Sequence, residues 1–181
     1  IKEDVVLTDK KSKLYTTDIT YDMNHDIGYY LNGGKLVNDQ TTITSLHGTF
    51  YSKTSTVLFK QNVKIDNPKY KLSSDSLLYN TKLKRTYFTS STKIDNDSGY
   101  IWCNSGWYDE EKNEYSFGRG TIIYDAPQMI ITDSIYFNKN TGFSRIYKTF
   151  EFHDTSAKIH VFGDTAEMWN NNKHIRAFKR P

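Results

Sequence analysis

The side chains able to do acid–base, metal or nucleophilic chemistry are few and scattered along this chain. Its five histidines are His25, His47, His153, His160 and His174. His25 falls in a polar turn, while His153 and His160 flank another turn beside Asp154 and Asp164. A His/Asp cluster there could bind a metal, but no ligand spacing in the sequence is diagnostic of one. Glu110–Glu111 stand in a turn, where paired carboxylates are ordinarily solvated surface charge. Cys103, the single cysteine, lies between Trp102 and Asn104 with no basic neighbour to activate it, and reads as an inert buried thiol. Lys82, Lys84 and Arg85 form the tightest basic cluster, which suits either a phosphate contact or a solvated hairpin tip. No catalytic residue, metal or cofactor is expected from this set.

The elements that carry these residues are strands. Aromatics make up 15% of the 181 residues, fourteen of them Tyr, against only three Pro; this composition favours sheet. A balance of 24 basic and 21 acidic residues leaves +3, far from the basic stripe of a nucleic-acid binder. No apolar run is long enough to cross a membrane as a helix. One cysteine excludes an internal disulfide framework.

A repeat organises the chain. Leu7, Val37, Ile65, Ile94, Ile123 and Phe152 recur at nearly constant spacing, and aromatics follow the first five at Tyr21, Tyr51, Tyr79, Tyr108 and Phe137. The steps are 30, 28, 29 and 29, with a further 29 to Phe152. Such a period marks an array of one supersecondary unit. Within a unit, apolar and polar residues alternate with period two, as in half-buried strands. Short polar turns separate them at Asp22–Asp26, Ser52–Thr54, Asn80–Lys82, Asp109–Asn113 and Asn138–Gly142. Connections this short join antiparallel neighbours. Residues 1–181 therefore read as a single all-β domain of about five to six units with almost no helix. Ile1–Asp9 look like the second half of a repeat, so the chain reads as a window in a longer array.

Four residues before each aromatic stands a polar residue: Thr17, His47, Asp75, Asn104 and Asp133. Leu72 and Ser74 have one parity and Leu77 and Tyr79 the other, so a bulge is expected at this level in every unit. Antiparallel strands all bent at one level fold into a V-shaped or jelly-roll sandwich.

The phrases Leu72–Ser-Ser-Asp-Ser-Leu-Leu-Tyr-Asn80, Ile130–Ile-Thr-Asp-Ser-Ile-Tyr-Phe-Asn138 and Gln61–Asn-Val-Lys-Ile-Asp66 resemble the OstA/LptA-type repeat. Tyr100–Ile-Trp-Cys-Asn-Ser-Gly-Trp-Tyr-Asp109 is similar to the many-repeat OstA-like proteins in particular. The resemblance runs from about Val5 to Phe178. The glycine of the family's Gly-Asn-Val step is kept loosely, as Gly33–Gly34 and Gly118/Gly120, and is replaced by Gln61 and by Ser90 or Ser91 elsewhere. The resemblance implies a β-jellyroll in the periplasm of a Gram-negative envelope that carries lipopolysaccharide toward the outer membrane. It also implies end-to-end association, with itself or with other transport components, through edge strands.

An acyl chain in water costs about 0.8 kcal/mol per CH₂, so a carrier needs a long apolar trough and no reaction. The repeated anchors are expected to line it: Ile19, Tyr21, Val37, Tyr51, Val63, Ile65, Leu77 and Tyr79 in the first half. Ile94, Tyr108, Ile123, Ile135, Phe137, Phe150 and Phe152 continue the set. The opposing reading of the same residues is a closed core, which would make the piece a structural spacer or assembly module with no lipid ligand. A carbohydrate-binding or enzymatic β-helix and a fragment of an outer-membrane barrel fit less well. The turns are of hairpin type, and the outer face is rich in Lys, Asp, Asn, Ser and Thr.

Overall fold

The computed structural model describes residues 5–8, 12–38, 40–171 and 173–178. The other residues of the expected N-terminal half-repeat, 1–4 and 9, lie outside the described residues. The first strands are β1 (Val5–Thr8), β2 (Ser12–Thr16), β3 (Thr20–Asp22), β4 (Ile27–Tyr30), β5 (Gly34–Asn38), β6 (Thr41–Ser45) and β7 (His47–Tyr51). Then come β8 (Thr56–Asn67), β9 (Tyr70–Asn80), β10 (Arg85–Phe88), β11 (Thr92–Asp95), β12 (Gly99–Cys103) and β13 (Ser105–Asp109). The last are β14 (Glu114–Asp125), β15 (Gln128–Asn138), β16 (Phe143–Asp154), β17 (Ile159–Gly163), β18 (Thr165–Trp169) and β19 (His174–Phe178). Among the described residues the only helical piece is a 3-10 turn at Ser52–Thr54.

Every strand pairing is antiparallel, and the pairings trace two layers. One layer runs β1–β2–β5–β6, through one half of β8 and β9, to β11–β12, through halves of β14, β15 and β16, and ends at β17. The other runs β3–β4–β7, through the opposite halves of β8 and β9, to β10–β13, through β14, β15 and β16, and ends at β18–β19. The long strands belong to both layers and the short ones to one. This is the expected all-β jellyroll.

The chain changes layer at one level, a crease. Register shifts mark it between Lys60 and Val63, Gly118 and Thr121, and Thr132 and Ser134. The bulges lie at the expected level, but the extra residue is not at Asp75 or Asp133. Gln61 and Asn62 of β8 together oppose Asp75, while Arg119 and Gly120 of β14 and Lys148 and Thr149 of β16 oppose Asp133. At the levels of Thr17, His47 and Asn104 the strand instead breaks in two, giving β2/β3, β6/β7 and β12/β13. Buried at the crease are Thr16, Ser45, Ser74, Cys103 and Thr132, each 29 residues after the last.

Their polar atoms satisfy backbone carbonyls that the interrupted ladder leaves without partners. Thr16 donates to the Gly33 carbonyl at 2.8 Å, Ser45 to that of His47 at 2.9 Å, and Thr132 to that of Thr149 at 3.1 Å. Ser74 meets the Thr92 hydroxyl at 2.8 Å.

Away from the crease, two rows of directly opposed residues run the length of the sheet. In the first layer the row is Leu7, Leu14, Leu36, Ile43, Ile65, Leu72, Ile94, Ile101, Ile123, Ile130, Phe152 and Val161. In the second it is Tyr21, Gly28, Phe50, Val57, Tyr79, Thr86, Tyr108, Tyr115, Phe137, Ser144, Met168 and Ile175. One wall is aliphatic apart from Phe152, and half of the other is aromatic. Most of these residues belong to or pack against one hydrophobic cluster, which draws on both layers.

These rows correct the repeat register read from sequence. The steps of 30 and 28 arose from taking Val37 and Tyr51; the positions in the rows are Leu36 and Phe50, and every step is then 29. Val37 opposes Lys13 and Thr42, and Tyr51 opposes Ile27 and Thr56, one residue out of phase with the rows. A one-residue slip moves a strand side chain to the opposite face.

The turns share the period. Left-handed backbone recurs at Asp26, Ser55, Lys84, Asn113, Gly142 and Asn171, with φ between 48° and 67°. In the turns of four of these positions a carboxylate or amide caps the turn, accepting two backbone N–H groups: Asp22 from Asn24 and His25, Asn80 from Lys82 and Leu83, Asp109 from Glu111 and Lys112, Asn138 from Asn140 and Thr141. Asp and Asn suit both tasks, because they tolerate the left-handed region and bond their own backbone two residues on.

The register makes a paired prediction. Leu77, 1% exposed in the middle of the core, should cost about 2–5 kcal/mol when truncated to Ala. Val37→Ala should cost well under about 1 kcal/mol. Denaturant midpoints for the two variants check this.

Candidate functional site

The residues expected to line a trough divide into three groups. Val63, Ile65, Leu77, Ile135, Phe150 and Phe152 are buried, at most 6% exposed, in the closed centre of the jellyroll. Tyr79, Ile94, Tyr108 and Ile123 are half-buried and pack against that centre. Phe137 is half-buried too, its ring stacked on that of Tyr115 at 4.9 Å. Ile19 and Tyr21 lie at the N-terminal end, where Tyr21 is 47% exposed.

Two of the hollows beside these groups are lined by residues of the two rows. At the N-terminal end a cavity of about 400 Å³ is walled by Leu7, Leu14, Ile19, Tyr21, Leu36, Phe50 and Val57, with the Tyr30 ring and Phe59 behind them. Tyr30 fits because Gly34 and Gly48 lie against its ring, where a Cβ at either position would overlap it. Its hydroxyl meets Ser45 at 2.7 Å, so the ring is fixed at both its edge and its tip. A second hollow, of about 390 Å³, spans the two layers on the turn side. Ile43, Ile65 and Leu77 lie in it with Tyr70, Tyr79 and Tyr108, and Asn67, Lys69 and Glu110 also line it. Both volumes lie within the range of ordinary ligand pockets.

Burial sets the electrostatics of this second hollow. It pushes the Tyr70 and Tyr79 phenols up to about 12, and raises those of Tyr108 and Tyr115. These hydroxyls stay neutral donors at any physiological pH. Lys139 lies 5.4 Å from the Tyr108 ring centre and 5.7 Å from that of Tyr115. Its pKa is lowered, first by burial and then by the neighbouring Lys69 charge. Burial raises the Glu110 carboxyl. An aromatic wall with two lysines and phenolic donors at its rim suits an amphiphile, with apolar chains inside and anionic groups at the edge.

Sequence reasoning missed Tyr70, Tyr115, Leu36, Phe50, Lys69 and Lys139. A strict 29-residue step from Leu7 and Tyr21 would have found Leu36 and Phe50. Tyr70 opens β9, the strand that carries Tyr79, and Tyr115 lies on β14 opposite Tyr108 and Phe137; neither recurs at the 29-residue period. The two lysines come from turns 70 residues apart in sequence and carry no local signal.

The other candidates settle differently. Burial pushes the Cys103 thiol up to about 12, in keeping with an inert side chain. Arg85 donates Nε–H to Asp109 at 3.1 Å and lies over the Trp107 ring at 4.8 Å, while Lys84 pairs with Glu111 at 3.5 Å. Two of the three basic residues of this cluster, Lys84 and Arg85, are thus matched by carboxylates. His153 and His160 do come together, but with Glu151 and not with Asp154.

Residues 1–75 match a family model described as OstA-like protein. The match covers fewer than half of the 181 residues. The matched stretch holds all the residues that wall the N-terminal cavity, from Leu7 to Phe59. Solved structures similar to the chain include the crystal structure of LptH, the LptA homologous periplasmic component of the conserved lipopolysaccharide transport device from Pseudomonas aeruginosa. The identity is 9%, covering 78% of this chain and 95% of that one, with a TM-score of 0.47. No curated protein matches the chain.

Carboxylates at the turns and at the crease of this jellyroll make its stability depend on pH. Backbone N–H groups of Ala157 and Ser156, the Ser156 hydroxyl and the Gln128 amide hold the Asp154 carboxyl down to about 2. Arg85 and the Lys112 N–H lower that of Asp109, and Lys148 that of Asp133. A carboxyl held below its unfolded value of about 3.9 stabilises the fold above that pH and stops doing so as pH falls through the folded value. The thermal midpoint should therefore drop between about pH 4 and pH 2. Asp154→Asn keeps the turn acceptor, as Asn80 and Asn138 do at their own turns, and should show a shallower drop in the same pH series.

Proposed function

We propose that this chain shields the acyl chains of an anionic glycolipid, of the lipopolysaccharide class, as it crosses the periplasm of a Gram-negative envelope. The observation that carries this reading is the pair of opposed apolar rows, open to solvent at the N-terminal cavity and along the turn side. The OstA-like match over the stretch holding that cavity supports it. Acyl chains would enter where Tyr21 and Phe50 are exposed and extend beside Tyr79 and Tyr108. The lysines at positions 69 and 139 would meet phosphates at the rim. Val63, Leu77 and Ile135 would remain core, so the lipid would lie along the openings and not through the centre.

The strands at the two ends suit assembly into a longer trough. Among the described residues β1 pairs only with β2, β3 with β4, β17 with β16 and β19 with β18. Val5, Val6 and Leu7 on β1 are exposed at 37%, 49% and 45%. Unpaired edges of this kind are templates for strand addition, so the chain would pair end to end with a second copy or another jellyroll of the same type. Light scattering should show mass rising with protein concentration; a strict monomer at high concentration would remove this part of the reading.

A spacer with no lipid ligand is favoured by one observation, the full closure of the central core. Photo-crosslinking separates the two. A reactive residue at Tyr21, Phe50, Tyr79 or Tyr108 should form adducts with purified lipopolysaccharide that excess phospholipid does not abolish, while one at exposed Lys82 should not. A folded sample that gives no adduct at any of the four positions would establish the spacer.

A further inference from the structure

We propose that Glu151, His153 and His160 form a binding site for a divalent transition-metal ion on the outer face of the first layer. Glu151 and His153 are two residues apart on β16, so their side chains leave the same face of the strand. His160 lies on β17 directly opposite His153. The two imidazoles stack with centroids 4.1 Å apart and planes at 20°. Both present Nε2 to one carboxylate oxygen: Glu151 Oε2 is 3.2 Å from His153 and 3.8 Å from His160. All three donor atoms lie within 4.8 Å of one another.

Those separations fit a metal. Tetrahedral zinc with bonds of about 2.0–2.1 Å places its ligand atoms about 3.3 Å apart. Two imidazoles and a carboxylate select zinc, copper or nickel over magnesium and calcium, which prefer oxygen ligands. The backbone under the site is regular: β16 and β17 pair without a register shift from Phe150↔Gly163 to Asp154↔Ile159. Donors on a continuous ladder are positioned more sharply than donors on a loop. Three protein ligands leave a coordination position open. Glu151 and His160 also line a hollow of about 960 Å³ with Ile131, Phe162 and Asp164, so a water or an incoming ligand has room there. Asp154, the nearby acidic residue that the sequence suggested, is committed to its own turn through Ser156, Ala157 and Gln128.

This site is separate from the trough. Its residues face away from the core that Phe150 and Phe152 enter from the same strand, because side chains alternate faces along it.

Calorimetric titration of the tag-free protein with zinc tests the proposal at about pH 7.5. One equivalent should bind in the micromolar range, and magnesium should not compete. His153→Ala and His160→Ala should each weaken binding by at least about tenfold, since loss of even an outer-shell partner costs 10–100-fold. His25→Ala and His174→Ala should leave it unchanged. Binding should fall away at about pH 5.5, because imidazole must be deprotonated to ligate. Copper at the same site should show nitrogen hyperfine coupling from two imidazoles, lost in the double variant. The absence of zinc binding by protein with an intact β circular-dichroism spectrum would overturn the proposal. So would unchanged affinity in the folded His153→Ala/His160→Ala variant.

Discussion

The crease is the constraint on which the rest of the structure depends. Every strand that passes this level must leave one layer and enter the other, and its backbone carbonyls lose ladder partners as it does so. A buried carbonyl without a partner costs about 1–3 kcal/mol. The cost recurs in every unit, and in four of the five a small hydroxyl side chain at the same place offsets it: Thr16, Ser45, Ser74 and Thr132; the fifth has Cys103 there. Small side chains also let the layers meet closely there. Phe59, Leu77, Ile135 and Ile146 can then close a dry centre just beyond it.

Keeping the crease at one level forces the period to be constant, and a constant period gives the two walls their continuity. Because each step is 29 residues, residues at equal distance from the crease become direct cross-strand neighbours, and cross-strand pairs are the unit of sheet stabilisation. The aliphatic and aromatic rows are thus consequences of the register. So is their gradation: side chains near the crease are sealed from water, and those near the turns or the free ends are only half covered. Apolar surface is therefore left at the openings, while stability resides in the centre. The outer face is governed by the same alternation and keeps its own chemistry, with Glu151, His153 and His160 set on the opposite side of the strand from Phe152.

The period, the strand class, the hairpin turns and the level of the bulges were legible in the sequence, but not that the extra residue sits in the strands opposite Asp75 and Asp133. Each leaves a local trace in parity or turn residues. The failures share one cause. Val37 and Tyr51 were preferred to Leu36 and Phe50 because neighbouring residues of similar hydrophobicity cannot be told apart by type, and only cross-strand pairing decides which one faces inward. The crease residues were missed because Ser and Thr look like ordinary strand or turn residues until a long-range carbonyl is placed beside them. Lys69 with Lys139, and Glu151 with His160, meet across strand pairs, so no short motif announces them. The His153/His160 pair was visible as flanking one turn, but its carboxylate partner was sought among the wrong acids.

The central claim is that the two rows form a surface for acyl chains at the openings of the jellyroll. An isotope-filtered nuclear Overhauser spectrum of labelled protein with an unlabelled lipid A-type glycolipid tests it most directly. The account predicts contacts between acyl methylene protons and the side chains of Tyr21, Phe50, Tyr79 and Tyr108, with none to Leu77 in the sealed centre. Contacts confined to outer-face residues such as Ile131 and Phe162, or none at all in saturating lipid, would contradict it.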